Sequence, residues 1–292
     1  YNGLMKYNLE EIVTKDKLVH QGLYFEPSVK KDVALLWVHG LKGRFYSNVV
    51  IIDEFTKKCN QMGYGFASFN NRGHDFVSGV QKIDTSKPKG FEYMTIRASM
   101  ETFTDCIFDI AAAISFLIGK GFSKVILIGH STGANKACYC AAMVEDKRIG
   151  GVVLTGPMSD RYSVDTDKKT HLKHKAIMEK KIADGKGDEI LVGYDFFPLT
   201  PNRWMSLLGE GSPEDVFNYR DLVGALSTFE KIKTPLLVVF GEADEHADRP
   251  VAEIQKAFDA HARSSVYKSI VIDDADHGFT GKEKELGECI IE

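Results

Sequence analysis

The sequence predicts an α/β fold, a mostly parallel central sheet with helices on both faces and one inserted segment. Three observations predict it. Short apolar runs bounded by turn residues, such as Val33–Val38, 124–128 and 235–240, suit strands buried on both faces. Stretches of helical apolar spacing alternate with these runs, as in parallel βαβ units. The alternation breaks once, between Gly156 and Ile232, where no buried strand is evident.

Taken in order, residues 7–13 and 18–25 alternate partially around a polar turn at 14–17, the pattern of a hairpin. Val33–Val38 is a continuous apolar run closed by His39-Gly40. Residues 48–62 carry helical spacing. Gly65–Phe69 is the next strand, closed by Asn70-Asn71-Arg72-Gly73-His74. Residues 75–92, rich in Gly, Ser, Lys and Pro, read as a loop. A long helix is expected over 100–118, with Phe103, Ile107, Ile110, Ala111, Ile114 and Leu117 on overlapping faces. The strand at 124–128 runs directly into Gly129-His130-Ser131-Thr132-Gly133 and a helix over 134–144. Strands follow at 151–154, 235–240 and Tyr267–Ile272, with a helix at 251–262 and a last one from Lys282.

Within the interruption, residues 170–183 read as an amphipathic helix with Leu172, Ala176 and Ile182 inward and many lysines outward. A structureless connection of this length is implausible in a compact domain. The expected division is therefore a core of 1–156 and 233–292 with a cap or lid of 157–232. No internal repeat or low-complexity segment is seen.

Composition narrows the class. Apolar residues are 43 %, charged residues 27 %, and the formal net charge is −4. That balance gives no pull toward nucleic acid or anionic lipid. No run approaches the roughly 20 apolar residues that span a bilayer, and with no basic region followed by an apolar one at the start, a signal peptide is not expected. Tyr1 to Leu4 precede Met5, which is the expected natural start. The five cysteines are odd in number, which argues against a disulfide framework and for a reducing, cytoplasmic setting. Cys138 and Cys140 are two apart on a helix and face different ways, so neither a metal nor a redox pair is expected.

Gly129-His130-Ser131-Thr132-Gly133 fits a nucleophile elbow, G-x-S-x-G between a strand and a helix. Side chains at the flanking glycines would collide with the neighbouring strand and helix. A serine hydroxyl needs a base to take its proton, and on such sheets acid and base follow in the order Ser, acid, His. His277, in Asp273-Asp274-Ala275-Asp276-His277-Gly278-Phe279 just after the last strand, is the candidate base. Asp244, in Gly241-Glu242-Ala243-Asp244-Glu245, is the candidate acid, with Glu245, Asp248 and Asp160 as competitors. His261, His171 and His174 read as structural or solvated, and His246 as a rim residue. The oxyanion donors are expected to be the backbone N–H groups of Thr132 and Leu41. Asn71-Arg72-Gly73-His74 reads as a brace for the His39-Gly40-Leu41 loop. Met158, Trp204, His246 and Phe279 are candidate substrate contacts.

These residues together resemble the α/β-hydrolase superfamily over essentially the whole chain, and the resemblance implies the α/β-hydrolase fold. A narrower likeness rests on Ser159-Asp160-Arg161, Arg203 with Ser206-Leu207, Glu214-Asp215-Val216-Phe217 and the Gly-His-Ser-Thr-Gly elbow. It is similar to an esterase-like branch whose fungal members include siderophore ester hydrolases, and departs from it at Val38-His39-Gly40-Leu41, where a Gly-Gly loop is expected. The expected activity is carboxylic ester hydrolysis through an acyl-enzyme, on a small-molecule substrate and without metal or organic cofactor. Alternatives are an acyltransferase or amide/peptide hydrolase on the same residues, or a non-catalytic ligand-binding relative. Neither the substrate nor the oligomeric state is legible.

Overall fold

A computed structural model describes residues 5–161, 164, 167–219 and 226–291; the expected start at Met5 concerns residues 1–4, which lie outside that set. Among the described residues, the central sheet has eight strands. β1 (Asn8–Val13) and β2 (Val19–Phe25) form the expected hairpin, and β2 pairs antiparallel with β4 (Gly65–Phe69). From β4 onward the sheet is parallel. It runs through β3 (Val33–Val38), β7 (Lys124–His130), β8 (Ile149–Thr155), β9 (Leu236–Gly241) and β10 (Tyr267–Ile272). This is the mostly parallel sheet of the α/β-hydrolase fold.

Helices cover both faces. On one face, α1 (Val49–Met62) and α7 (Glu283–Ile291) lay Ile52, Phe55, Cys59 and Leu286 against Leu35, Trp37, Ile128 and Val239. On the other, α2 (Cys106–Gly119), α3 (Thr132–Met143) and α6 (Val251–His261) bury Ile110, Leu117, Ala137, Ile254 and Phe258 over Leu36, Leu127, Val152 and Val238. Side chains alternate across a strand, so consecutive apolar residues of β3 and β7 serve both cores.

Residues 75–92 are not wholly loop. β5 (Ser78–Ile83) pairs antiparallel with β6 (Phe91–Ile96) as a separate two-stranded sheet. Val80 is the one fully buried residue of the pair, so the sequence lacks the apolar alternation that marks a strand. Backbone bonds from Ile83 N–H to Lys17 O and from Asp84 N–H to Gly90 O hold the ribbon and its turn. The helix expected from residue 100 begins at Cys106, behind a 3₁₀ turn at Phe103–Asp105.

Between β8 and β9, the described residues add no strand to the central sheet. They carry α4 (Lys168–Ala183) and α5 (Pro201–Leu208). Thr200 caps α5, its hydroxyl accepting from Arg203 N–H at 3.1 Å, and Pro201 opens the first turn. α4 does not dock through Leu172, Ala176 and Ile182, all of which are exposed. Its buried residue is Met178, packed with Phe197, Leu199, Trp204, Leu207 and Leu208. His171 stacks on Trp204 and His174 meets Tyr194, both with ring centroids 5.0 Å apart. The two histidines are therefore packing residues rather than solvated ones. No helix among the described residues is long and apolar enough to cross a membrane.

Candidate active site

β7 ends at His130, and Ser131 stands between the strand and the first residue of α3 with φ 57° and ψ −131°. A non-glycine residue at positive φ is strained and must be held by its surroundings. Ser131 N–H donates to Thr155 O at 3.0 Å, and Ser131 O accepts from Ala134 N–H at 2.8 Å. The flanking glycines make room. A Cβ on Gly129 would stand 2.3 Å from Gly133 O, and one on Gly133 would stand 2.1 Å from Val38 O. Strand, serine and helix approach too closely for any side chain there.

His130 fills the elbow's variable position. Its ring stacks on Trp37 with centroids 5.6 Å apart, and Nδ1 lies 3.2 Å from Thr155 Oγ1. Burial lowers its pKa to about 3, so it is neutral at physiological pH. Its ring centroid is 5.2 Å from that of His277.

His277 and Asp244 lie on the loops after β10 and β9, which the parallel register Gly241↔Ile272 brings side by side. Ala243 N–H donates to Ala275 O at 2.9 Å, and Glu242 N–H to Ile272 O at 3.0 Å. His277 Nδ1 is 2.8 Å from Asp244 Oδ2, and the carboxyl is fully buried. A ring that donates Nδ1–H to Asp244 leaves Nε2 as its basic nitrogen. The other Asp244 oxygen accepts from His246 N–H at 2.9 Å. The rival acids are engaged elsewhere. Glu245 accepts the His277 backbone N–H at 2.9 Å, Asp248 pairs with Arg249 at 3.0 Å, and Asp160 accepts from Asn135 at 2.9 Å. His261 pairs with Glu230 at 2.9 Å.

The loop after β3 lies against the serine. A Cβ on Gly40 would stand 2.8 Å from Ser131 Cβ and 3.2 Å from its Oγ. Asn71 N–H donates to His39 Nε2 at 3.1 Å, so the proton is on Nδ1, which reaches Gly40 O at 2.9 Å. Burial keeps His39 neutral, with its pKa lowered to about 3. The Asn71–His74 turn thus holds the loop, and Arg72 is itself fixed by Asp109 at 2.9 Å. Thr132 opens α3, so its N–H has no acceptor within the helix.

A cavity of about 390 Å³ joins these parts, with Gly40, Leu41, Ser131, Thr132, Met158 and Asp160 in its wall. His246 and His277 line it too, as do Asp195, Phe196, Leu207 and Leu208 from the 157–232 segment. Two of the expected contacts stand outside it. Phe279 is fully buried beneath His130, in the core under α7, and Trp204 is buried against His171 and Met178. Large aromatics in a turn or a short helix look the same in sequence whether they line a pocket or fill a core. Among the described residues, no three His, Cys, Asp or Glu side chains converge as a metal site would require.

The sequence gives no sign of the buried ion network beside the cavity. Lys136 on α3 pairs with Glu101 at 2.5 Å and donates to Asn71 Oδ1 at 3.0 Å. Arg203 on α5 forks onto Glu214, lies 3.6 Å from Glu101 and donates to Ala98 O at 2.8 Å. Single charged residues are exposed by default, and only their three-dimensional convergence marks these as buried.

The family described as "Protein of unknown function (DUF1749)" matches residues 89–292. This chain belongs to DUF1749. The matched stretch of this DUF1749 member includes the elbow, Asp244 and His277. No curated protein matches it. Among solved structures it is similar to a siderophore hydrolase, EstB, from Aspergillus fumigatus. That match has 15 % identity and a TM-score of 0.68, over 99 % of this chain and 97 % of that one. It is also similar to Est1E from Butyrivibrio proteoclasticus, with 16 % identity and a TM-score of 0.60, over 97 % and 96 % of the two chains. The Pyrococcus furiosus esterase Pf2001 matches at 20 % identity and a TM-score of 0.58, over 99 % and 93 %. At these identities the likeness is one of fold.

Proposed function

We propose that this DUF1749 member is a serine hydrolase that cleaves a carboxylic ester, with Ser131 as nucleophile, His277 as base and Asp244 as the orienting acid. The observation that carries this reading is the 2.8 Å contact of His277 Nδ1 with buried Asp244, on a cavity shared with strained Ser131. His277 Nε2 takes the Ser131 proton as Oγ attacks the acyl carbon. The carbonyl oxygen becomes an oxyanion, held by the N–H groups of Thr132 and Leu41. Collapse breaks the acyl C–O bond, and His277 returns the proton to the departing alcohol. Water, deprotonated by His277, then releases the acid and regenerates Ser131. The Asp244 carboxyl orients His277 and stabilises the charged imidazole of each step.

The 157–232 segment acts as a cap, since it supplies Met158, Asp160, Asp195, Phe196, Leu207 and Leu208 to the cavity wall. Caps of this kind enclose substrate and exclude water. The esterase and siderophore hydrolase titles among the fold neighbours support a small-molecule ester as substrate. The four buried cysteines, Cys59, Cys106, Cys138 and Cys140, are free thiols, which supports a reducing, cytoplasmic setting. The test is hydrolysis of short p-nitrophenyl esters by wild type and Ser131→Ala. We expect the variant to lose at least about a thousandfold in kcat. Retained hydrolysis would overturn the proposal.

A further inference from the structure

Two polar side chains of the cavity wall, those of Thr132 and Asp160, have no part in the ester chemistry. Thr132 is only 3 % exposed, and its hydroxyl has no hydrogen-bond partner among the described residues. Asp160, just beyond β8, presents a carboxyl whose Oδ2 is held by Asn135 Nδ2 at 2.9 Å. Both residues line the cavity beside Ser131.

Among the described residues, no lysine or arginine forms an ion pair with Asp160. The described cations nearby are committed to other carboxylates: Arg203 to Glu214 and Glu101, Lys136 to Glu101, and Arg161 to Asp215. Removal from water and the neighbouring Glu214 charge raise the Asp160 carboxyl to about 8, against Arg203 and Asn135. Asp195 lines the same cavity, and burial raises its carboxyl as well. The one lysine of the lining, Lys42, is exposed, with its ammonium over the Phe76 and Phe196 rings at 5.1 and 5.9 Å. The lysines of α4 are outside the cavity wall. The cationic composition of that helix is therefore not what the cavity presents.

We propose that Asp160 and Thr132 form a subsite for a protonated primary amine on the substrate. An ammonium group has three donors and no acceptor. The Asp160 carboxylate and the Thr132 hydroxyl oxygen are both able to accept from it, and its charge fills the deficit left by the surrounding pairs. As it enters, the carboxyl releases its proton to solvent, so the net charge of the site is conserved. Placing the amine on an ester rests on the serine-hydrolase reading; the subsite itself does not.

Two measurements on the full chain separate these claims. The first compares kcat/KM for p-nitrophenyl 6-aminohexanoate with that for its near-isostere p-nitrophenyl heptanoate, in wild type and Asp160→Asn. We expect a wild-type preference for the amino ester of about tenfold, the value of one ~1.4 kcal/mol charge-assisted contact. The ratio should fall to about one in the variant. Any loss common to both esters cancels in this ratio. A wild-type ratio of one or below, or a preference that survives Asp160→Asn, overturns the subsite. The second follows n-hexylammonium binding by ligand-observed NMR, with 1-hexanol as the neutral comparison. Asp160-dependent ammonium binding without hydrolysis of either ester would retain the subsite and overturn the ester reading. Absence of such binding overturns the subsite.

Discussion

Replacing Gly133 by alanine sets two physical effects against each other, and the structure decides which wins. Gly133 is in the first turn of α3, where alanine is favoured over glycine by about 1 kcal/mol. The added Cβ would meet Val38 O at 2.1 Å and His39 O at 2.8 Å. The first distance is more than an ångström short of ordinary contact. Both oxygens are backbone, so no side chain can swing aside, and the β3 loop must move off the elbow. Overpacking of this kind costs about 1–3 kcal/mol, occasionally more, so we expect Gly133→Ala to be destabilising despite the helical gain. Gly119, at the end of α2, is the control: a Cβ there has nothing within 4 Å. Gly119→Ala should stabilise by about 0.5–1 kcal/mol. Urea unfolding of both variants gives the two signs in one assay. A Gly133→Ala variant as stable as Gly119→Ala would refute the close approach of strand and helix at the elbow.

Three further outcomes are expected. Asp244→Asn should lower kcat on p-nitrophenyl esters by about a hundredfold to ten-thousandfold, because the amide favours the wrong His277 tautomer; steady-state kinetics that show an unchanged kcat would contradict the orienting role. Arg203→Met should cost about 3–5 kcal/mol in chemical unfolding, since it leaves Glu214 buried without its partner, and Arg203→Lys should recover little of the bidentate geometry. Asp160→Asn should stabilise the fold in a pH-dependent way. Between its ordinary value of 3.8 and about 8, the folded wild type holds a proton that the unfolded chain has lost. Wild-type stability therefore falls as pH rises through that window, by up to about 1.4 kcal/mol per unit. The gain in Tm should be absent near pH 4 and grow toward pH 8, and a pH-independent difference would contradict the raised carboxyl.

What the sequence revealed follows from where its signal is strong. Strands β3, β7 and β9 are buried on both faces, so they read as continuous apolar runs, and the residues that follow them could be assigned to one edge of the sheet. That is how Ser131 and Asp244 become candidates, while His277 follows from the order Ser, acid, His and its place after the last strand; the structure brings Asp244 and His277 to 2.8 Å. Where elements are half-exposed the signal fades. The β5–β6 ribbon buries one side chain of twelve, Val80, and α4 docks through Met178 rather than through its more conspicuous Leu172. Trp204 and Phe279 show that a large apolar residue near a site does not say which side of the wall it occupies. Glu101, Lys136, Arg203 and Glu214 come from four separate stretches of chain. Their mutual burial exists only once α3, α5 and the residue 101 turn are packed together.

The role of Ser131 is tested most directly by covalent labelling. The purified chain is treated with a fluorophosphonate probe, digested, and the adduct located by mass spectrometry. We expect a single adduct on Ser131, absent in Ser131→Ala and strongly slowed in His277→Ala, which removes the base. No adduct on the folded wild type, or an adduct on another residue, would contradict Ser131 as an activated nucleophile.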